Sequence, residues 1–105
     1  MRLHEPIHVT KQAKRQASRA LLDETIRTLA GRLLSQHQIS PEGRTLDKKF
    51  LGRNNWTIVK AAIDKKVNAL SGRPGGERSE LSQAEIDLAM TRLDAFVQEV
   101  EDETF

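Results

Sequence analysis

Four side chains near the middle of the chain are of types that recognise DNA bases, namely Arg53, Asn54, Asn55 and Thr57. Arginine forms paired hydrogen bonds with guanine, asparagine does so with adenine, and threonine contacts several bases. These residues follow Gly52 at the predicted start of a helix, where Asn54 or Asn55 is a suitable N-cap. The start of a recognition helix is the part that reaches base edges in a helix-turn-helix protein. We therefore predict that these four residues read DNA sequence.

Two groups of cations precede these residues and are suited to contacting DNA phosphates. The first group comprises Lys11, Lys14, Arg15 and Arg19, and the second comprises Lys48 and Lys49. Lysine and arginine contacts to phosphates supply affinity and position the protein, but they carry no sequence information. We predict that all six side chains bind phosphates. The alternative interpretation is a set of solvated charges, with the region around Gly52 forming an ordinary capped helical hairpin.

The distribution of charge along the chain favours a negatively charged partner. The formal net charge is only +2, but residues 1–78 carry 16 lysines and arginines against 7 acidic residues. Residues 79–105 carry 1 against 8. Such asymmetry is typical of proteins with nucleic-acid or acidic partners. The acidic end is either a solubilising tail or a segment that pairs with the basic beginning of the same or a neighbouring subunit.

Residues for catalysis or metal binding are few. The chain has no Cys, and its three histidines are His4, His8 and His37. His4 and His8 have the spacing of a metal-binding pair on a helix, but Pro6 lies between them and disfavours a helix there. No nucleophilic side chain stands in a recognisable pairing with a base. We expect no enzymatic activity, no cofactor and no metal site.

Apolar residues recur at helical spacing in three segments, which predicts an all-α fold of three main helices. The first helix runs from about residue 11 to His37, with Thr10 as its N-cap. Its apolar face begins at Leu22, and cations occupy the same face before that residue. The second helix ends at Gly72, and a capping box over residues 82–85 opens the third.

The third helix is predicted to bury one apolar stripe before the acidic end of the chain. The stripe consists of Ile86, Ala89, Met90, Leu93, Phe96, Val97 and Val100. We assign residues 101–105 to an acidic tail and residues 1–10 to a flexible N-terminal tail. Residues 11–100 then form a single helical domain.

A fourth, short helix is predicted over residues 45–51, where it would bury Leu46, Phe50 and Leu51. Gly52 would end this helix in a left-handed conformation. The short helix, the glycine and the following helix have the layout of a helix-turn-helix. The predicted core is small and the first helix is long for a 105-residue chain. We therefore predict a homodimer, which would add buried area.

These features together predict a small dimeric protein that binds double-stranded DNA and regulates transcription. The alternative is a protein-interaction module, such as an antitoxin, an antiactivator or an inhibitor, whose exposed helices bind a regulatory protein partner. No uninterrupted apolar run exceeds three residues. We therefore expect no membrane partner and a cytoplasmic location.

Overall fold

The structure, a computed structural model, describes residues 10–73 and 75–105. Within those ranges it contains three α-helices and no strand: α1 is Lys11–Gln36, α2 is Asn55–Asn68 and α3 is Gln83–Thr104. Two short 3₁₀ helices, Ala69–Ser71 and Arg78–Glu80, lie between α2 and α3. The predicted all-α bundle of three main helices is confirmed. Residues 1–9 of the predicted N-terminal tail lie outside the described residues.

Helix α1 begins where the sequence predicts because Thr10 caps it. The Thr10 hydroxyl accepts a hydrogen bond of 3.0 Å from the Ala13 backbone amide. The core residues of α1 begin only at its twelfth position and are Leu22, Ile26, Ala30, Leu33 and Leu34. A helix gains most of its stability in a protein from packing. The first turns of α1 contribute little to this packing and carry exposed polar side chains beyond the core.

The segment between α1 and α2 is a series of turns, and the predicted short helix over residues 45–51 is wrong. The Asp47 carboxylate accepts hydrogen bonds from the backbone amides of residues 51–53. Bonds of this kind compete with helical backbone bonds. Of the three residues predicted to be buried here, Phe50 and Leu51 are exposed and Leu46 is half-buried.

Both ends of the second helical segment match the sequence prediction. Asn54 is the N-cap of α2, since its Oδ1 accepts a hydrogen bond of 2.8 Å from the Thr57 amide. The 3₁₀ helix after α2 ends at Gly72, whose φ of 74° lies in the left-handed region that favours glycine. The apolar side chains that α2 contributes to the core are Val59, Ile63 and Val67.

Helix α3 opens with the predicted capping box, because Ser82 and Glu85 each accept a hydrogen bond from the other's backbone amide. Its buried residues are Ile86, Ala89, Leu93 and Val100, with Phe96 and Val97 half-buried beside them. The prediction that Met90 is buried is wrong, since that side chain is 38% exposed.

The helix continues through the acidic residues that the sequence assigns to a tail. Glu101 lies 2.7 Å from His37, and Glu103 accepts a hydrogen bond of 2.9 Å from Lys66. The bond with His37 lowers the pKa of the Glu101 carboxyl. Likewise, Glu103 raises the pKa of Lys66. These contacts hold the acidic end of α3 against its own chain and allow the helix to extend.

The three helices form an elongated bundle. Ser18 bonds to Gln83 near the starts of α1 and α3, and His37 bonds to Glu101 near their ends, so these two helices run parallel. Helix α2 packs against both of them and closes the core. The bundle measures 60 × 30 × 24 Å along its principal axes. None of the described helices is long and apolar enough to span a membrane.

Candidate nucleic-acid interface

The first cationic surface lies on the first turns of α1. We call it the arm cluster, and it consists of Lys11, Lys14, Arg15 and Arg19. Both lysines are exposed and both arginines are half-buried. No carboxylate in the described part of the chain lies within ion-pair distance of any of the four. Their positive charge is therefore not offset by a described carboxylate.

A cavity of about 380 Å³ opens beside the arm cluster, between the starts of α1 and α3. Its lining comprises Lys11, Lys14, Arg15 and Gln83. The Gln83 amide donates hydrogen bonds to Ser18 at 3.1 Å and to Asp87 at 2.9 Å. Because Ser18 lies on α1, this contact tethers the helix one turn before its first core residue. The arm cluster is thereby carried in a fixed orientation relative to α3.

The second cationic surface lies in the loop before α2. We call it the loop cluster, and it consists of Arg44, Lys48, Lys49 and Arg53. All four side chains are exposed, and none forms a direct ion pair with a carboxylate among residues 10–73 and 75–105, although the charge of Arg44 helps to lower the pKa of Asp47. A cavity of about 340 Å³ adjoins the cluster. Its apolar lining comes from Leu46, Leu51 and Ile58, and the end of α3 closes one side.

Asp47 gives this loop its shape. Its carboxylate accepts hydrogen bonds from the amides of Leu51, Gly52 and Arg53 at 3.0, 2.8 and 3.2 Å. These bonds, with that from Leu51 the largest cause, lower the pKa of the Asp47 carboxyl. The backbone is left-handed at Phe50 and Gly52, with φ of 54° and 79°. At neutral pH, Asp47 is ionised and holds the loop in this conformation.

Three of the four residues predicted to read bases lie at or near the surface. Arg53 and Thr57 are exposed, and Asn54 is half-buried. The Asn54 oxygen caps α2, so this amide is partly committed to the helix. Arg53 is the longest of the three side chains and adjoins the lysines of the loop cluster. It is the residue that the geometry favours most for contacting a base edge.

Asn55, the fourth predicted base reader, has a structural position. It is 1% exposed. Its Oδ1 accepts a hydrogen bond from Leu46, and its Nδ2 donates to the Ser40 carbonyl and the Thr45 hydroxyl. A buried amide that is bonded on both sides is not presented to a DNA base. Asn55 therefore holds the loop against α2, and its predicted base-reading role is withdrawn.

The loop cluster occupies the place of the first helix in the predicted helix-turn-helix. Helix α2 follows Gly52 as predicted, but turns precede it. The arm cluster adjoins the start of α3 at Gln83, whereas the loop cluster adjoins its end at Glu103. Most of the 22-residue length of α3 therefore separates the two surfaces. This separation is about 30 Å at a rise of about 1.5 Å per residue.

Three cations between these two surfaces form ion pairs within the chain. Lys60 lies 2.6 Å from Asp64 and 3.3 Å from Asp23, and Arg78 pairs with the same two carboxylates. Arg27 pairs with Asp23 at 2.9 Å, and this bond is the main cause of the lowered pKa of Asp23. These three cations thus have carboxylate partners, whereas the unpaired cations of the described residues are grouped in the two clusters, apart from the single exposed side chains of Arg32, Lys65 and Arg92.

Arg44 and Phe50, both in the loop before α2, were not predicted as site residues. Arg44 belongs to the loop cluster because the turns bring it to Asp47: its carbonyl accepts a hydrogen bond of 3.1 Å from the Asp47 amide, and its charge helps to lower the Asp47 pKa. Phe50 was predicted to be buried but is 92% exposed. Asp47, five residues before Gly52, was the available sign of a turn, although the same residues also fit a short helix that ends at glycine.

The structure shows no cluster of three metal-ligating side chains within the described residues. His4 and His8 lie outside those residues. No protein-family model, curated protein or solved structure matches the chain. Its function is therefore inferred from the arrangement of its own residues.

Proposed function

We propose that this protein is a small DNA-binding protein that regulates transcription and holds duplex phosphates with both the arm cluster and the loop cluster. The observation that supports the proposal is the grouping of cations without described carboxylate partners into two clusters, one at each end of the bundle. Both clusters present cations without described carboxylate partners, whereas Lys60 and Arg78 between them are paired. Such cationic surfaces bind the phosphates of nucleic acids, and this binding releases the salt ions that were condensed on the nucleic acid.

The spacing of the clusters suits a duplex that lies along the bundle. Their separation of about 30 Å is close to one turn of B-DNA, about 34 Å. One protein molecule would then contact phosphates about one turn apart. A duplex of about 20 base pairs would engage both clusters, whereas one of about 6 base pairs would engage only one and give a weaker salt dependence.

In this proposal Arg53 is the main residue that reads bases. Thr57 and the Asn54 side-chain NH2 group, which the helix cap does not use, lie beside it. An arginine that bonds to guanine is worth about 1–3 kcal/mol of discrimination. Arg53→Ala should relax sequence preference by about that amount. Lys14→Ala should instead weaken binding to all sequences alike. Equal losses on specific and random duplexes for Arg53→Ala would remove Arg53 from this role.

The proposal includes a homodimer. Three apolar side chains outside the core, Leu21, Leu88 and Met90, are 57%, 37% and 38% exposed on the neighbouring helices α1 and α3. A symmetric partner would cover such positions. Light scattering should then give twice the chain mass of 11.8 kDa. A mass of one chain throughout the micromolar range would contradict the dimer.

A protein-interaction module is the alternative function. One surface that could serve it, the acidic end of α3, is occupied by contacts within the chain. A partner protein could bind the acidic end of α3, but Glu101 and Glu103 contact His37 and Lys66 of the same molecule. This contact favours the DNA-binding proposal. The alternative predicts no measurable binding to a mixed-sequence duplex at about 50 mM salt.

A salt series of duplex binding tests the proposal. Four to six phosphate contacts predict that log K falls with log salt at a slope of about −3.6 to −5.4. Lys14→Ala should make the slope shallower by about 0.9. Arg92→Ala is a matched control, because Arg92 is an exposed cation outside both clusters, and it should leave the slope unchanged. Equal effects of the two substitutions would contradict the assignment of the arm cluster.

A further inference from the structure

The tip of the loop cluster presents two apolar side chains to solvent. Phe50 is 92% exposed and Leu51 is 59% exposed, which makes them the two most exposed large apolar side chains of the described residues. Exposure of these two apolar side chains to water is energetically unfavourable, and they add little to the core. Their exposure points to a contact with another molecule.

The tip is held in one conformation before any contact is made. Asp47 fixes the backbone on one side of it through the amides of Leu51 and Gly52. Phe50 has a φ of 54°, in the left-handed region that bulky side chains rarely adopt. Strain of this kind persists only where the surrounding structure imposes it, and it concentrates at binding sites. The Phe50 ring is thus aimed outward on a preformed turn, so little conformational freedom is lost on binding.

Cations surround the tip. Lys48 and Lys49 directly precede Phe50, and Arg53 follows two residues after Leu51. The partner of this surface must therefore offer negative charge around a narrow apolar slot. A gap between stacked base pairs, bordered by two phosphate backbones, has both properties.

We propose that Phe50 and Leu51 form a wedge that enters duplex DNA from the same groove that Arg53 contacts and partly unstacks one base step. This inference rests on the DNA-binding function proposed above and names the contact made by its loop cluster. Apolar wedges of Phe or Leu between base steps kink a duplex, and one or two side chains are sufficient. A stable protein interface instead needs about 800 Å² on each partner. Two apolar side chains ringed by cations fit the first case better.

The test uses the full chain and a duplex of about 20 base pairs with a central TA step, since pyrimidine–purine steps unstack most easily. One adenine is replaced by 2-aminopurine, whose fluorescence rises on unstacking, and a dye pair on the two ends reports bending. The wild-type chain should raise the fluorescence and shorten the distance between the ends. Phe50→Ala should abolish both signals and weaken binding about tenfold, while leaving the salt slope unchanged.

Two matched variants separate the wedge from general effects. Phe50→Leu should retain most of the unstacking signal, because the wedge stays apolar. Arg92→Ala removes an exposed side chain away from the loop and outside both clusters, and should behave as the wild type. Thermal unfolding monitored by circular dichroism should be the same for Phe50→Ala and the wild type, since the ring lies outside the core.

The outcomes distinguish failure of the wedge from failure of the DNA-binding proposal. Salt-dependent duplex binding in which Phe50→Ala matches the wild type in affinity and both signals overturns the wedge and leaves the proposed function standing. Tighter binding to the corresponding single strand than to the duplex also overturns the wedge. Absence of duplex binding by the wild type overturns the proposed function and the wedge together.

Discussion

Replacing Asn55 with alanine tests the assignment of this residue to structure. The substitution removes three hydrogen bonds, of 2.8, 2.9 and 3.1 Å, to Leu46, Ser40 and Thr45. A hydrogen bond contributes about 1 kcal/mol net, and a buried group left without its partner costs about 1–3 kcal/mol. Because Asn55 is 1% exposed, water does not readily replace the lost bonds. We expect Asn55→Ala to lower the free energy of unfolding by about 2–4 kcal/mol.

Asn54→Ala is the matched comparison for this measurement. It removes only the cap of α2, which is worth about 1 kcal/mol. Urea unfolding followed by the fluorescence of Trp56, the one tryptophan, gives both free energies. A loss for Asn55→Ala no larger than that for Asn54→Ala would refute the structural role. Unchanged stability combined with a loss of sequence preference on DNA would restore Asn55 as a base reader.

Three further predictions concern the loop and the capping box. Ser82→Ala should lower the free energy of unfolding by about 1 kcal/mol, since it removes the capping bond to Glu85; urea unfolding no different from that of wild type would contradict the capping role. Because folding lowers the pKa of Asp47, its contribution to loop order is present above about pH 4 and is lost as the pH falls through the folded-state pKa. Amide exchange at Leu51 and Gly52 checks this, and equal protection at pH 5 and pH 2.5, relative to intrinsic rates, would contradict it. Phe50→Gly should leave stability unchanged or raise it by up to about 1 kcal/mol, because relief of the left-handed φ offsets the added backbone entropy; a clear fall in the unfolding midpoint would show that Phe50 contributes to the fold.

The helices were predictable from the sequence because each carries its own boundary signals. Thr10, Asn54 and Ser82 are side chains that bond to helix amides, and each begins its helix at or next to the predicted position. Gly72 ends the second segment for a similarly local reason, its positive φ. Apolar spacing then identifies the buried faces. These properties depend on residues within a few positions of one another.

The loop before α2 was not predictable because tertiary contacts decide it. Leu46, Phe50 and Leu51 have the spacing of a short helix, but Asp47 and Asn55 bind the backbone in turns instead. Bonds from Asn55 reach back 15 residues to Ser40. Local apolar spacing carries no information about such pairings. The same contacts remove Asn55 from the surface and leave Phe50 outside the core.

The charge surfaces were predicted in part. The arm cluster follows directly from cations on a helical face that lacks apolar residues, and its phosphate-binding role stays a prediction. The distance between the clusters could not be predicted, since it depends on α1 and α3 running parallel. Residue order places Lys48 between α1 and α2, whereas packing brings it to the end of α3.

The central claim is that cations at both ends of the bundle bind DNA phosphates. Its most direct test is the salt slope of duplex binding for a variant in which Lys11, Lys14, Lys48 and Lys49 are all alanine. All four side chains are exposed, so the fold should persist, as circular dichroism will verify. The account predicts a slope shallower than that of the wild type by about 3.6. An unchanged slope in a folded variant would contradict it.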